Sequence, residues 1–140
     1  MKTAITTFFA TLAVVLIVGG FIWLGLSEPQ RRASSKIAEF NEEANNLLLG
    51  LQKYKEITGV YPAGNNLDVA RALSGQSPTK VVVILATKIP RNNKGEFLDP
   101  WDTPLQFYFS GNSVLIRSAG PNKVWEDSTV PNGDDLFRSN

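Results

Sequence analysis

The hydrophobic and polar residues of this chain follow three successive patterns. Residues 4–26 are predominantly apolar and carry no ionisable side chain. Between residues 37 and 54 the apolar positions recur at intervals of three and four, which is typical of the buried face of an α-helix. That stripe consists of Ile37, Phe40, Ala44, Leu47, Leu51 and Tyr54. In residues 105–109 and 114–117 apolar and polar residues alternate, which indicates β-strands.

The uncharged segment is long enough to cross a bilayer. As a helix, residues 4–26 would span about 35 Å, against about 30 Å of hydrocarbon core. The competing interpretation is a cleaved secretory signal, with Lys2 at its basic end. The apolar segment exceeds the usual length of such a signal, and no small-residue cleavage site follows it. We therefore predict a transmembrane anchor helix over residues 1–27 and a separate domain over residues 28–140.

The stripe between residues 37 and 54 predicts the amphipathic half of the same helix. Gly59 is expected just beyond its end, because glycine tolerates the left-handed backbone that often closes a helix. Pro62 cannot continue the helix. Near the other end of this half, Pro29 leaves two alternatives: it kinks one long helix, or it separates two helices.

Shorter elements follow the long helix. Residues 66–74 predict a short helix, with its cap at Asn65 or Asn66. Gly75 is expected to end it. Residues 80–86 are rich in β-branched side chains and fit either a strand or a buried helical turn.

A β-hairpin is predicted after these helices. Residues 105–109 and 114–117 alternate in polarity on either side of Ser110-Gly111-Asn112-Ser113, a turn sequence typical of a hairpin. The C-terminal tail is rich in Pro, Asn, Gly and Asp, which predicts an ordered loop and no further regular element. The expected fold class is α+β. Its long N-terminal helix, membrane-spanning in the first half and amphipathic in the second, packs on a small antiparallel sheet.

Composition excludes several kinds of active site. The chain has no cysteine and no histidine, which removes disulfide scaffolds, Cys/His zinc sites and nucleophilic triads built on these residues. A net charge of +1 gives no general attraction to nucleic acid. Neither a Gly-rich phosphate loop nor a nucleophile elbow occurs in the sequence. We therefore expect neither an enzyme nor a nucleic-acid-binding protein.

Several motifs along the chain carry a family resemblance. They are Tyr54-Lys55 followed by Gly59-Val60-Tyr61-Pro62, then Asp99-Pro100-Trp101-Asp102-Thr103-Pro104, the turn Ser118-Ala119-Gly120-Pro121-Asn122, and the acidic pair Asp134-Asp135. In this order they resemble the major, G-type pseudopilin of bacterial type II secretion. The resemblance extends over residues 35–136 and rests on the combination of motifs.

This resemblance implies a pilin-like fold and assembly, as a homo-oligomer or with other pseudopilin subunits, into a short helical filament for protein export. It also implies a single-pass protein of the bacterial inner membrane with its C-terminal domain in the periplasm. The inner membrane and the secretion machinery are then its partners. The basic residues point the other way, because Arg31, Arg32 and Lys36 follow the apolar segment while Lys2 precedes it. We follow the resemblance, because this charge difference is small and the rule is statistical.

The resemblance further implies calcium as a cofactor of the last loop. Carried over position by position, its ligands are the carbonyl of Ala119, the side chain of Asn122, and the carboxylates of Asp134 and Asp135. Residues 99–140 carry six acidic and three basic side chains, which suits a hard cation that takes roughly six to eight oxygen ligands. Asn122 is neutral where the family often has aspartate, so Glu126 or Asp127 is expected to supply the missing charge. The alternative is a solvated acidic tail without metal.

Two functions remain open. The first is a membrane-anchored, pseudopilin-like structural subunit of a type II secretion or pilus-type assembly, and the motifs downstream favour it. The second is a non-polymerising, membrane-anchored extracytoplasmic binding module with a pilin-like fold. The N-terminus favours the second, because the family has an acidic residue in its cleavage motif. The nearest match here, residues 20–25, has Gly25 at that position. We take the first function as the expectation.

Overall fold

The computed structural model describes residues 28–127 and 133–140 in full and the helical backbone of residues 2–27. The elements in this part of the chain are α1 (Lys2–Thr58), α2 (Asn66–Leu73), a 3-10 helix (Ile84–Lys88), β1 (Gln106–Ser110), β2 (Ser113–Ser118) and β3 (Leu136–Ser139). A long helix and a small antiparallel sheet confirm the predicted α+β class. By its internal contacts the chain divides into two units, residues 1–35 and 36–140. The predicted division after residue 27 stays a prediction.

The expected membrane placement requires a correction. Across the fully described residues, no helix combines the length and the apolar content needed to cross a bilayer. The physical reason is that α1, from Glu28 onward, repeatedly carries charged side chains, such as Arg31 and Arg32. The prediction of a single-pass inner-membrane protein is therefore wrong. The predicted anchor itself, residues 1–27, lies outside the residues whose side chains are described.

The described side chains of the first unit are exposed and interact locally. Arg32 forms an ion pair with Glu28 one turn earlier, at 3.7 Å. The Ser34 hydroxyl donates to the Arg31 carbonyl at 2.9 Å. Pro29 lies inside α1, so of the two alternatives for this position the structure has the single helix.

In the second unit, α1 buries one face. The buried side chains, each at most 6% exposed, are Phe40, Ala44, Leu47, Leu51 and Tyr54. Ile37, at the start of the predicted stripe, departs from it with 39% exposure. The helix ends as expected, because Gly59 has φ +85 and its N–H donates to the Lys55 carbonyl at 2.7 Å. The three-and-four spacing therefore identified the core face correctly along nearly its whole length.

The short helix α2 begins with a reciprocal cap. The Asp68 N–H donates to the Asn65 side chain at 3.2 Å, and the Asn65 N–H donates to the Asp68 carboxylate at 3.0 Å. Asn65 is therefore the cap, and Asn66 has a different role. The buried Asn66 amide donates to the carbonyls of Phe97 and Leu105, each at 2.8 Å, and accepts from the Phe97 N–H at 2.7 Å.

For residues 80–86 the sequence allowed either a strand or a helical turn. The structure has one strand-like bridge and the start of a 3-10 helix in this segment. Val82 forms one isolated bridge with Ser74. The 3-10 helix Ile84–Lys88 follows immediately. Val83 packs against α1, since a Cβ on Gly50 would lie 2.9 Å from its Cγ1.

The sheet has the order β1-β2-β3 and is antiparallel throughout. β1 and β2 form the predicted hairpin, with Ser110 paired to Ser113 across the turn. The third strand was not expected, and the prediction that the tail holds no regular element is wrong. Residues 136–139 pair with β2, in a register that sets Phe137 opposite Arg117. Four residues are too short a segment for an alternation to be recognised, and the strand gains its hydrogen bonds from the free edge of β2.

One core joins the sheet to α1 and α2. Besides the helix stripe it contains Val69, Leu73, Phe97, Trp101, Leu105, Val114 and Ile116, with Phe107 and Phe109 partly buried against it. Leu47 and Leu51 thus lie in the same apolar cluster as the hairpin face, as expected. Burying each such side chain contributes about 1.5–3 kcal/mol.

Candidate metal centre

The Asp99 turn lies between the core and the candidate site. The N–H groups of Trp101 and Thr103 donate to Asp99 Oδ1, at 3.0 and 2.8 Å. The Asp99 N–H donates to the Thr103 carbonyl at 2.8 Å, and the Asp102 N–H donates to the Asp99 carbonyl at 2.9 Å. The Asp99 carboxylate therefore stabilises its own turn, as aspartate side chains commonly do by bonding to backbone two residues on.

Ser118, at the end of β2, joins this turn to the next one. Its Oγ donates to Asp99 Oδ2 at 2.6 Å and accepts from the Gly120 N–H at 3.0 Å. Both side chains are buried, with Ser118 at 0% and Asp99 at 2% exposure, so water does not compete for this bond. Gly120 then meets Asp134, because a Cβ on Gly120 would lie 2.2 Å from the Asp134 carbonyl oxygen. Three motifs that are distant in sequence are thus adjacent here.

Three carboxylates meet beyond Gly120. Glu126, Asp134 and Asp135 each place a carboxylate oxygen within 4.8 Å of the other two. The Asp134 N–H donates to Glu126 Oε2 at 2.6 Å, and the Glu126 N–H donates to Asp135 Oδ2 at 3.4 Å. Gly133 permits this closure, because a Cβ there would lie 2.4 Å from Glu126 Oε2. The loop therefore gathers like charges at a separation that one cation could bridge.

Two buried oxygens distinguish this cluster from an ordinary acidic surface. Among the described residues, Asp134 Oδ1 and Asp135 Oδ1 are buried and accept no hydrogen bond. The side chain of Asp135 is 5% exposed. A buried carboxylate oxygen without a donor costs free energy, and a metal ion that binds it removes that cost. Anionic oxygens so arranged fit a hard cation such as calcium.

Arg117 is the cation that contacts the cluster. Its Nε donates to Asp135 Oδ2 at 2.6 Å, and a terminal nitrogen donates to the same carboxylate and to the Glu126 carbonyl. The guanidinium lies 5.2 Å from the Trp125 ring centre and 5.4 Å from that of Phe137. Burial alone would lower the pKa of Arg117, but Tyr108 and Asp135 raise it above its ordinary value. The guanidinium is therefore a fixed positive charge beside the three acids.

A fourth acid lies near the Asp99 turn, on α1. Glu43 is partly buried, and its pKa is raised to about 7. Burial is the main cause, and the negative charges of Glu39, Asp99 and Glu42 add to it. The protonation of Glu43 therefore changes near neutral pH.

Of the four predicted ligand residues, the structure brings Asn122, Asp134 and Asp135 together, while the carbonyl of Ala119 as a ligand stays a prediction. Asp134 and Asp135 belong to the cluster, and Ala119 is buried next to Gly120. The Asn122 N–H donates to Asp134 Oδ2 at 3.1 Å, and its side-chain amide donates to Glu126 Oε1 at 3.1 Å. The Asn122 side-chain oxygen accepts from the Val124 N–H at 2.7 Å, so it is engaged within the loop.

Of the two residues expected to replace the missing charge, Glu126 is in the cluster and the exposed Asp127 is not one of its three members. Sequence reasoning missed Arg117 entirely. Arg117 is a polar residue in the alternating pattern of β2, and such a residue is expected to face solvent. Its partner Asp135 is 18 residues away in the sequence. No spacing rule connects two such positions.

Comparison with known proteins adds no relative. No family model matches the chain, and neither a curated protein nor a solved structure is detectably similar to it. Any functional conclusion therefore depends on the motifs of this sequence and on the geometry of the site.

Proposed function

We propose that this protein is a pilin-like structural subunit, without catalytic activity, that assembles with further copies or with pseudopilin-type subunits into a short filament for protein export. The proposal combines the sequence resemblance with the α+β domain over residues 36–140. The long amphipathic helix on a small antiparallel sheet is the architecture that the resemblance leads one to expect.

The single observation that carries the proposal is the meeting of three motifs. Asp99 of the Asp-Pro-Trp segment accepts from Ser118 of the Ser-Ala-Gly turn at 2.6 Å. Gly120 of that turn lies against the backbone of Asp134 of the acidic pair. In the sequence these three segments share only their resemblance to the pseudopilin motifs. Chance similarity would not require them to be bonded neighbours, whereas a shared architecture would.

We further propose that the cluster of Glu126, Asp134 and Asp135 binds calcium. The two donor-free oxygens and the gathered negative charge support a divalent cation. Calcium suits an irregular loop better than magnesium, because it accepts variable geometry and up to about eight oxygen ligands, including carbonyls such as that of Ala119. In this proposal the ion fixes the loop between β2 and β3, so that each subunit enters the filament with a rigid surface.

Calcium dependence of thermal stability tests the site. At 100-fold excess over the dissociation constant, calcium should stabilise the folded chain by about 2.7 kcal/mol. The unfolding midpoint of the full-length chain should then rise by about 10 °C relative to chelator, and magnesium should raise it far less. Asp134→Ala should abolish the rise, while Glu56→Ala, which removes an exposed carboxylate on α1, should retain it.

Assembly is tested separately, by electron microscopy and sedimentation of the full-length chain in calcium. Short filaments are the expected result, with fewer or none for Asp134→Ala. A chain that binds calcium yet stays monomeric under all conditions would contradict the filament and favour a non-polymerising binding module. Equal midpoints in calcium, magnesium and chelator would contradict the cation site.

A further inference from the structure

Resting on the proposed cation site, we infer that Arg117 is a resident cation that sets the charge of that site and thereby its preference for a divalent ion. Nothing in the resemblance assigns this residue. It is a positioning and specificity-determining residue, since its own atoms donate to the ligand groups and leave the donor-free oxygens untouched.

Arg117 occupies one oxygen of the Asp135 carboxylate and leaves the other oxygen available to a bound ion. Arg117 contacts Oδ2 through Nε at 2.6 Å and through a terminal nitrogen. Oδ1 of the same carboxylate is buried and has no donor among the described residues. Because Arg117 holds one oxygen, the carboxylate cannot rotate freely, and the other oxygen keeps a fixed position. Arg117 thus orients a ligand for the bound ion.

The planar, several-donor guanidinium of Arg117 makes contacts that depend on its shape. One terminal nitrogen donates to the Glu126 carbonyl as well as to Asp135, so Arg117 connects two of the three acidic residues. The rings of Trp125 and Phe137 lie 5.2 and 5.4 Å away and restrict where the group can go. Phe137 stands opposite Arg117 in the β2–β3 register, so the third strand supplies part of this support. A lysine ammonium could not make the same set of contacts.

Arg117 also sets the net charge of the site. Three ionised carboxylates carry −3, and Arg117 reduces this to −2, which one divalent cation neutralises. Without Arg117 the site would keep −3, and its attraction would increase more for a trivalent ion than for a divalent one, because the interaction energy is proportional to the ion's charge. A site that contains Arg117 is therefore matched to an ion such as calcium.

The test compares calcium with terbium, a trivalent ion that prefers the same oxygen ligands. Terbium luminescence and calcium competition give both dissociation constants for the full-length chain, kept in mild detergent because of its apolar N-terminal segment. In Arg117→Met the affinity for terbium relative to calcium should rise by about tenfold or more. Arg138→Met removes an exposed arginine on β3 and should leave this ratio within about twofold of the wild-type value.

Thermal unfolding separates charge from packing. In chelator Arg117→Met should unfold at a lower temperature than wild type, and calcium should raise its midpoint by more than it raises that of wild type. Arg117→Lys keeps the charge and should keep the wild-type ratio of terbium to calcium affinity, although calcium binds it more weakly. It also keeps the test valid if Arg117→Met does not fold.

The outcomes separate the two proposals. If the unfolding midpoint of wild type does not depend on calcium, the proposed cation site is wrong, and the inference about Arg117 is wrong with it. If wild type binds calcium but Arg117→Met has an unchanged ratio and equal losses in calcium and chelator, the site stands. Arg117 is then only a packing residue.

Discussion

The side chains of Asp99 and Asp135 both lie next to β2 with little exposure to solvent, at 2% for Asp99 and 5% for the Asp135 side chain. They differ in how many of their carboxylate oxygens accept a hydrogen bond from the protein. Asp99 accepts from two backbone N–H groups at Oδ1 and from Ser118 at Oδ2. Asp135 accepts at Oδ2, while its Oδ1 has no donor among the described residues. The first turn is therefore complete without any solute. The turn that contains Asp135 leaves one carboxylate oxygen for a cation or water from solution. The hydroxyl of Ser118 connects the Asp99 turn to this second turn.

The largest expected loss of folding stability comes from removing the Asp99 carboxylate. Asp99→Ala removes the acceptor of three donors and should destabilise the chain by about 3–5 kcal/mol. Because both carboxylate oxygens of Asp99 already accept hydrogen bonds from the protein, the loss should be nearly the same in calcium and in chelator. Urea unfolding of the full-length chain in both conditions measures it.

Asp102→Asn is the matched control for Asp99. It lies in the same turn, is exposed, and adopts φ +65, which asparagine tolerates. Its unfolding free energy should change by less than about 1 kcal/mol. If calcium largely restored the stability lost in Asp99→Ala, the Asp99 turn would depend on the cation, contrary to the comparison with Asp135.

A smaller loss of folding stability is expected from removing the Ser118 hydroxyl, which connects the two turns. Ser118→Ala leaves Asp99 Oδ2 without its donor and the Gly120 N–H without its acceptor. The chain should lose about 1–2 kcal/mol in chelator and somewhat more in calcium, because Gly120 supports Asp134. Ser113→Ala, at the exposed start of the same strand, should be nearly neutral. Identical losses for Ser118→Ala in calcium and chelator would mean that the turns act independently.

The smallest effect concerns pH and the negative charge of Asp99. The pKa of Glu43 is raised to about 7 in the folded chain from its ordinary value of 4.5. The folded state therefore binds more protons than the unfolded state between these values, so stability falls as pH rises from about 4.5 to about 7. Glu43→Gln should flatten this dependence and raise the midpoint at pH 8 by a few degrees, about 2–5 °C, since Glu43 is only partly buried.

Midpoints measured between pH 5 and pH 8 for wild type and Glu43→Gln decide the matter. A parallel pH dependence in the two proteins would show that Glu43 titrates normally. The same series on Asp99→Asn should show a lower midpoint of the Glu43 transition, because one of the negative charges that raise its pKa is gone.

The sequence predicts those parts of the fold whose signal repeats. Leu47 and Leu51 are buried because their spacing places them on one helix face, and the hairpin follows from alternation around Gly111-Asn112. β3 was missed because four residues contain too little alternation. Its strand conformation depends on the edge of β2, which is a tertiary property.

The sequence predicted the site residues that belong to a recognisable motif. It did not predict the residues that reach the site from distant positions in the chain. Asp134 and Asp135 were found as an acidic pair, and Glu126 was expected as a source of charge. Asn66 sits beside the true cap Asn65, and nothing local distinguishes an asparagine that caps a helix from one that binds a distant backbone. Arg117 reaches Asp135 only once β2 and the loop are in place.

Asn66 has a consequence for the way this domain opens. Its side-chain amide contains the same donor and acceptor as a peptide group, and it bonds to backbone positions 31 and 39 residues further along the chain. The start of α2 and the segment from Phe97 to Leu105 are thus held as one cooperative unit, although they share no ladder of strands. The Phe97 N–H, which donates to Asn66 at 2.7 Å, can exchange with solvent only when this unit separates. That one amide therefore reports the local unfolding of two segments at once.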